Sequence, residues 1–392
     1  MSDSGDRDLK VVIAHNRYAS GQPSGENTIV DADIANLRAA GVHVVPFLRS
    51  SDEIADLSAA QKALLPVSPL YASRAVRELR QLLRDERPDL LHLHNPYPLL
   101  SPWVVRTAHA VGVPVVHTVH NYRQVCVNGV YFRDGHICTD CRGRRLGLPG
   151  VVHACYRGSR AQSLVMATTL AAHRGTWRSV DRFVALTDAI AGHLREYGVP
   201  AERIVVRPNS APDPGPASPV GDGFLFLGRL VEEKGVRLML AAWSRHPVGA
   251  VGVLRVAGDG PLRGEVEAAA SARSDVVYLG TLDRDGVRAA MRDASVVLAP
   301  STWHDVLPTV IIEALAHGRP VLGTALGGIP YLVGPAGSVV EPTVAALAAA
   351  LPAARADAAR LSPVARERYL TTFHPDVVTG RLLDLYASLR RP

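Results

Sequence analysis

Short, wholly apolar runs recur along the chain, and each is followed by a longer stretch in which apolar residues return every three or four positions. The first half contains "KVVIAH", "VHVVPF", "DLLHLH", "VPVVHTVH", "RFVALT" and "RIVVRP". The second half restarts with "GFLFLGR", "VLRVAGDG", "VVYLG", "SVVLAPS" and "PVLGT". Continuous apolar runs fit strands buried on both faces, and their alternation with helical periodicity predicts parallel α/β sheets. Between the halves, "RPNSAPDPGPASPVGDG" carries five prolines in residues 207–223, a composition that resists helix and sheet. The pattern therefore predicts two Rossmann-like domains, residues 1–207 and 223–372, joined by a linker at 208–222, with a cleft between them. The stretch from 373 to 392 is helical in pattern and is expected to pack back toward the first domain.

Several first-half runs end in a polar residue, namely His15, His94, His120 and Thr187. Ligands of open parallel sheets bind beyond the carboxyl ends of the strands, so these residues mark the expected crevice.

Composition narrows the class. A chain of 392 residues with 47% hydrophobic and 20% charged residues is globular and long enough for two cores. The start, "MSDSGDRDLKVVIAHN", has neither a basic leader nor a long apolar core, and no apolar run reaches bilayer length. A cytoplasmic protein is the expectation, at most one at the inner face of the membrane.

The net charge of +6 is concentrated between Arg123 and Arg178, where nine Arg stand against two Asp with no Lys or Glu. This segment is read as an insertion. Its charge fits an anionic surface or acceptor as well as it fits a solvated face. "SLVMATTLAAHRGTW" within it fits a membrane-interface helix or a core helix.

All four cysteines lie here as C-x11-C-x2-C-x13-C: Cys126, Cys138, Cys141 and Cys155. A CxxC pair with two outlying thiols can close a structural zinc site, with His136 and His153 as substitute ligands. Reduced thiols and disulfides are the other readings, disulfides being disfavoured in the cytoplasm.

Three segments carry chemistry. In "GRLVEEKG", Arg229 and Lys234 emerge at the end of a strand, where two cations suit a diphosphate. In "HDVLPTVIIEALAHGRP", Asp305 and Glu313 are separated by seven residues that include Pro308. On one helix those eight steps would set the two groups about 80° and roughly 12 Å apart. Pro308 favours a helix beginning beside it and ending at His317, before Gly318, which leaves Asp305 in a loop and lets both carboxylates turn into one pocket. The third segment, "SGQPSGENTIVDADIANL", opens a helix after the first strand and places Gly25, Glu26 and Asn27 near the crevice. It is neither a dinucleotide fingerprint nor a Walker A loop.

With these segments in order, the chain resembles a retaining glycosyltransferase of family 4 with the GT-B fold. The resemblance rests on "GRLVEEKG", "VAGDGPLR", "VVYLG", "PSTWHDVLPTVIIEALAHGRPVLGT" and "GGIPYLV" and spans nearly the whole chain. It implies two Rossmann-like domains and a nucleoside diphosphate sugar as donor. Arg229 and Lys234 would hold the diphosphate, Gly25 would let backbone approach it, and Glu313 would bind the ribose. Asp305 stands where the family has a glutamate that reads the donor sugar, and His120 in "HTVHN" matches a histidine near the reacting carbon. Tyr331 replaces another common glutamate. Glu26, Asn27, His94 and Asn121 are the acceptor-side candidates, for a glycan, lipid-linked or natural-product hydroxyl. The resemblance implies catalysis without a metal.

Two other classes compete. A nucleotide-sugar 2-epimerase would share the fold without needing the insertion. A zinc-containing nucleic-acid-binding protein would use the arginines, yet the segment lacks a reader motif and stacking aromatics, so no nucleic-acid partner is expected.

Overall fold

The computed structural model describes residues 9–21 and 24–390. The chain divides into two compact units. Unit 1 comprises residues up to Tyr131, Thr139–Arg207 and Thr379 onward; unit 2 comprises Phe132–Cys138 and Pro208–Val378.

Unit 1 holds a six-stranded sheet built from β1 (Lys10–Arg17), β2 (His43–Ser50), β3 (Leu90–Leu93), β4 (Val115–Val119), β7 (Arg182–Ala185) and β8 (Ile204–Val206). The intervening β5 (Phe132–Arg133) and β6 (His136–Ile137) form a separate antiparallel hairpin. The order is β2-β1-β3-β4-β7-β8, and every pairing is parallel. Each central strand sits where an apolar run predicts one. The run from Val11 to Ala14 is fully buried because both faces of the sheet are covered. Leu382, Leu385 and Tyr386 of the last helix join the core formed by Val11, Val30, Val116 and Val184.

Unit 2 repeats the plan with β9 (Phe224–Leu227), β10 (Leu254–Ala257), β11 (Val276–Gly280), β12 (Val296–Ala299), β13 (Val321–Thr324) and β14 (Gly337–Val340), in the order β11-β10-β9-β12-β13-β14. These pairings are also parallel. The α/β class with two Rossmann-like sheets is therefore observed. β14 is the strand that no apolar run announced, since its residues are half-buried or exposed.

Residues 208–222 contain neither helix nor strand, and they are tied to unit 2. The Ala211 carbonyl accepts from the Tyr369 hydroxyl at 2.8 Å, and Asp213 pairs with Arg366 at 2.8 Å. Among the described residues no helix is long and apolar enough to cross a membrane. The helix Arg160–Ala172, read from the sequence as interfacial or core, buries Met166, Ala167 and Leu170.

Candidate functional site

In both units the polar groups collect at the carboxyl ends of the strands, as parallel sheets dictate. In unit 2, Gly228 follows β9 directly and Arg229 is exposed, held by Glu233 at 3.4 Å. Lys234 ends a short 3₁₀ turn, Glu232–Lys234, and its ammonium forms an ion pair with Asp305. The geometry of the pair is fixed by its backbone. Thr302 N–H donates to the Glu233 carbonyl at 3.0 Å, which binds the loop before Asp305 to the turn that carries Lys234, and Thr324 Oγ1 donates to the Ser301 carbonyl at 2.6 Å, which ties the same loop to the end of β13. Two glycines make this possible. Gly235 has φ +74°, and a Cβ there would lie 1.8 Å from the Pro300 carbonyl oxygen. Gly327 has φ +57° and would meet the Asp305 carbonyl oxygen at 2.3 Å. A side chain at either position would push apart the loops that aim the pair.

Pro308 caps the helix Thr309–Ala316, and His317 and Gly318 follow its end, so Asp305 lies in the loop and Glu313 on the helix, as the proline predicts. No side chain caps this helix start, which leaves its first N–H groups to a ligand. A cavity of about 140 Å³ is lined by Gly228, Lys234, Ser301, Pro308, Thr309 and Val310, among others. Arg229, Asp305 and Glu313 are not among its lining residues, and Asp305 reaches it only through its pair with Lys234. Burial raises the Glu313 pKa above the usual carboxylate value. Tyr331 packs against the core of unit 2.

In unit 1, β1, β3 and β4 deliver His15, His94 and His120 side by side. His94 Nδ1 and His120 Nε2 are at hydrogen-bond distance, 2.9 Å apart, and their rings stack at 5.2 Å. His92 is held between the Tyr386 hydroxyl at 2.6 Å and Thr118 Oγ1 at 2.7 Å. Burial lowers the pKa of His15 to about 4 and places His92, His94 and His120 well below the ordinary value, so the group is neutral near pH 7.

The helix Gly25–Ala39 starts beside this array, capped by Ser24, whose hydroxyl accepts from Asn27 N–H at 3.4 Å. The Asn27 carboxamide is a strut: its oxygen accepts from His15 Nε2 at 3.0 Å and from Tyr18 N–H at 3.2 Å. Asn121 is likewise engaged, its oxygen accepting from Arg123 N–H at 3.0 Å. Glu26 differs. The Tyr18 hydroxyl donates to Oε2 at 3.4 Å, while Oε1 is buried with no hydrogen-bond partner among the described residues. Burial raises its pKa to about 7, opposed by Arg123 and by the Tyr18 hydrogen bond. Glu26, His94, His120, Asn121 and Arg123 line a narrow cavity of about 20 Å³. A Cβ built on Gly25 would meet nothing within 4 Å among the described residues.

Sequence reasoning missed Arg123 and Tyr18, which oppose the rise that burial imposes on the Glu26 pKa. The charge of its segment does not single out Arg123, whose guanidinium lies 5.7 Å from the Tyr97 ring centroid and 5.9 Å from that of Tyr156. The aromatics around it were the available signal.

The zinc expectation does not fit. Among the described residues no three His, Cys, Asp or Glu side chains come together as a metal site, and no disulfide joins Cys126, Cys138, Cys141 and Cys155. Spacing offered ligands that the fold does not gather. Cys141 is buried beside Gly147, to whose built Cβ its sulfur lies at 3.8 Å, with Val127 and Ala167 in the same contact, so it packs as a small apolar side chain.

Comparison with known proteins adds three findings. Residues 24–210 match the family model of the glycosyl transferase 4-like domain, and residues 221–357 match that of glycosyl transferases group 1. The chain is 32% identical over 315 residues to the 2-deoxystreptamine N-acetyl-D-glucosaminyltransferase of Streptomyces fradiae, covering 76% of this chain and 70% of that protein. Among solved structures it resembles sucrose-phosphate synthase from Thermosynechococcus elongatus, with TM-score 0.71 and 20% identity over 97% of this chain and 99% of that one. It also resembles Anabaena HepE in complex with UDP-glucose, with TM-score 0.63 and 15% identity over 97% and 100%. The two-sheet fold is thus the GT-B fold of these neighbours.

Proposed function

This chain belongs to the group 1 glycosyltransferases, and from that premise we propose that it is a retaining enzyme of family 4. It moves a sugar from a nucleoside diphosphate donor to a hydroxyl of a glycan, lipid-linked or small-molecule acceptor. The observation that carries this reading is the convergence of Lys234, Asp305 and an uncapped helix start at Pro308 beside one cavity.

As the bond to the donor sugar breaks, negative charge grows on the leaving diphosphate. Lys234 exchanges the Asp305 carboxylate for a phosphate oxygen, Arg229 adds a second cation, and the helix N–H groups add a fixed dipole. No step is assigned to a catalytic metal. Asp305, once released from Lys234, accepts from a donor-sugar hydroxyl, and Glu313 binds the ribose. The acceptor hydroxyl enters on the leaving-group face and gives its proton to a donor phosphate oxygen, so the new bond keeps the anomeric configuration without a side-chain nucleophile.

In unit 1, neutral His120 hydrogen-bonds the transferring sugar. Glu26, with its open Oε1, accepts from a second hydroxyl of the acceptor and so orients the reacting one, and Asn27 and Asn121 hold the loops that present it. Glu26 Oε1 lies 3.9 Å from His15 Nδ1, whose ring is kept neutral near pH 7 by burial, and has no hydrogen-bond partner among the described residues, which suits it to a hydroxyl. HepE was crystallised with UDP-glucose, which makes uridine diphosphate sugars the first donors to try. The test is a mass-spectrometric screen of nucleotide sugars for binding and slow hydrolysis. One donor class should bind and release its nucleoside diphosphate; binding of none would overturn the reading.

A further inference from the structure

A second cavity lies in unit 1, apart from the groups assigned so far. It measures about 410 Å³, within the size range of small-molecule pockets. Its walls are mainly apolar, with Leu57, Leu64, Leu65, Leu70, Ala75 and Leu99 among them. One side is formed by the helix Ala59–Leu64 and the turn Leu65–Val67, which together bury no residue. Leu64 is 66% exposed, Val67 47% and Tyr71 48%, so hydrocarbon lies open at and around the mouth. A helix with no buried side chain gains little from packing on its own unit, and a contiguous apolar wall of this kind marks a binding surface.

The pocket is built, not a loose flap. Ser68 Oγ donates to the Pro98 carbonyl at 2.8 Å, Ala72 N–H donates to Ser101 Oγ at 3.2 Å, and His173 Nε2 donates to the Leu70 carbonyl at 2.8 Å. The same loop that supplies Leu99 supplies His94, Asn95 and Tyr97 to the narrow polar cavity. Asn16 fixes the two together. Its N–H donates to the Asn95 carbonyl at 2.7 Å, and its side-chain oxygen accepts from Leu99 N–H at 3.0 Å. One face of this loop therefore meets the hydroxyl-reading groups and its next residues meet hydrocarbon. Arg49, Glu53 and Arg74 are the charged members of the lining, and the two arginines share Glu78.

We propose that this pocket binds the apolar part of an amphiphilic acceptor, an alkyl chain or hydrophobic ring system attached to the portion whose hydroxyl is glycosylated. This rests on the transferase reading and narrows its acceptor class. A wholly polar acceptor would leave the pocket without an occupant.

The probe is 11-(dansylamino)undecanoic acid, whose fluorescence rises in apolar surroundings, titrated into the full chain without detergent. One saturable site is expected, displaced by decyl glucoside and not by methyl glucoside. The double variant L64D/V67D places two charges at open positions of the wall and should weaken probe binding at least tenfold. V248D, at a 57% exposed apolar position in unit 2, should not. Nucleotide-sugar binding should be the same in all three proteins, which separates pocket from donor site. Decyl glucoside should also change donor turnover at the concentration that displaces the probe.

Non-saturable binding, binding unchanged in L64D/V67D, or uptake only onto phosphatidylglycerol vesicles would overturn the pocket. Unchanged donor turnover with the pocket filled would overturn its place on the acceptor side. Probe binding in a chain that binds no nucleotide sugar would remove the transferase reading and the acceptor role with it, leaving a hydrocarbon site.

Discussion

Each unit joins a cation to an aspartate, and the two pairs are built to opposite ends. In unit 1, Arg207 grips Asp33 with two bonds, at 2.6 and 3.0 Å, and the side chains are 1% and 3% exposed. In unit 2, Lys234 meets Asp305 through a single ammonium, with side chains 22% and 8% exposed, beside a cavity. A sealed bidentate pair cannot exchange partners without opening the core, so it serves stability. A half-open pair between a point charge and one carboxylate can give up its partner to a phosphate oxygen. Burial and geometry, rather than residue type, separate a strut from a working group.

Breaking the sealed pair should give the largest effect. Asp33→Ala strands a guanidinium in the core and should cost about 3–5 kcal/mol of unit 1 stability, because the lost partner cannot be replaced by water. Urea unfolding followed by nucleotide-sugar titration would show the loss confined to unit 1, with donor binding kept; a loss below about 1 kcal/mol would equate the two pairs and end the contrast.

Lys234→Ala should do the reverse. Removing a positioned cation from a developing diphosphate lowers kcat/KM by roughly 10²–10³, with a stability change well below that of Asp33→Ala. Steady-state kinetics beside a thermal melt would decide. Lys234→Arg keeps the charge and should recover part of the rate.

The titrating groups extend the comparison to pH. Glu26 is held at about 7 by burial against an ordinary 4.5. The folded chain therefore keeps a proton at Glu26, between those values, that the unfolded chain has lost, so this group's contribution falls as pH rises through that window. His15, His117 and His193 are lowered by burial to about 4, so their contribution is lost in the other direction, as pH falls from 6.5 toward 4. If ionised Glu26 orients the acceptor by accepting from its second hydroxyl, kcat/KM should rise through about pH 7, and Glu26→Gln should flatten that limb and lower the plateau by roughly 10–10². A limb that survives in Glu26→Gln would assign it elsewhere.

How much of this was written in the sequence differs between the units. Apolar runs located the central strands because a strand buried on both faces admits few other residues. Pro308 located the break between Asp305 and Glu313 because proline restricts its own backbone and is favoured at a helix start. β14 was silent, since "GSVV" is half-exposed and too short to show a period. The pair Lys234–Asp305 joins residues 71 positions apart, and nothing local announced it. The cysteines erred in the other direction, offering a spacing with no tertiary counterpart. Arg123 shows the same limit from another side: an arginine-rich segment reveals its charge but not which member turns inward. The apolar pocket was invisible because its wall, Ala59–Val67, is a six-residue helix and a three-residue turn, too short to show a period.

The smallest expected effect tests the electrostatics of Glu26 most directly. The Tyr18 hydroxyl donates to Oε2 at 3.4 Å, a long bond that favours the charged carboxylate and lowers its pKa. Tyr18→Phe removes that donor and leaves the ring in place. The pH limb should move upward from about 7, by roughly half a unit, because one weak hydrogen bond is worth about 1 kcal/mol or less. Arg123→Met removes a full charge that acts in the same direction and should move it further. A downward shift in either variant, or a larger one for Tyr18→Phe than for Arg123→Met, would mean that the limb reports a different group. The order of the two shifts matters more than their size, since only a carboxylate facing both groups at once responds to them in that sequence.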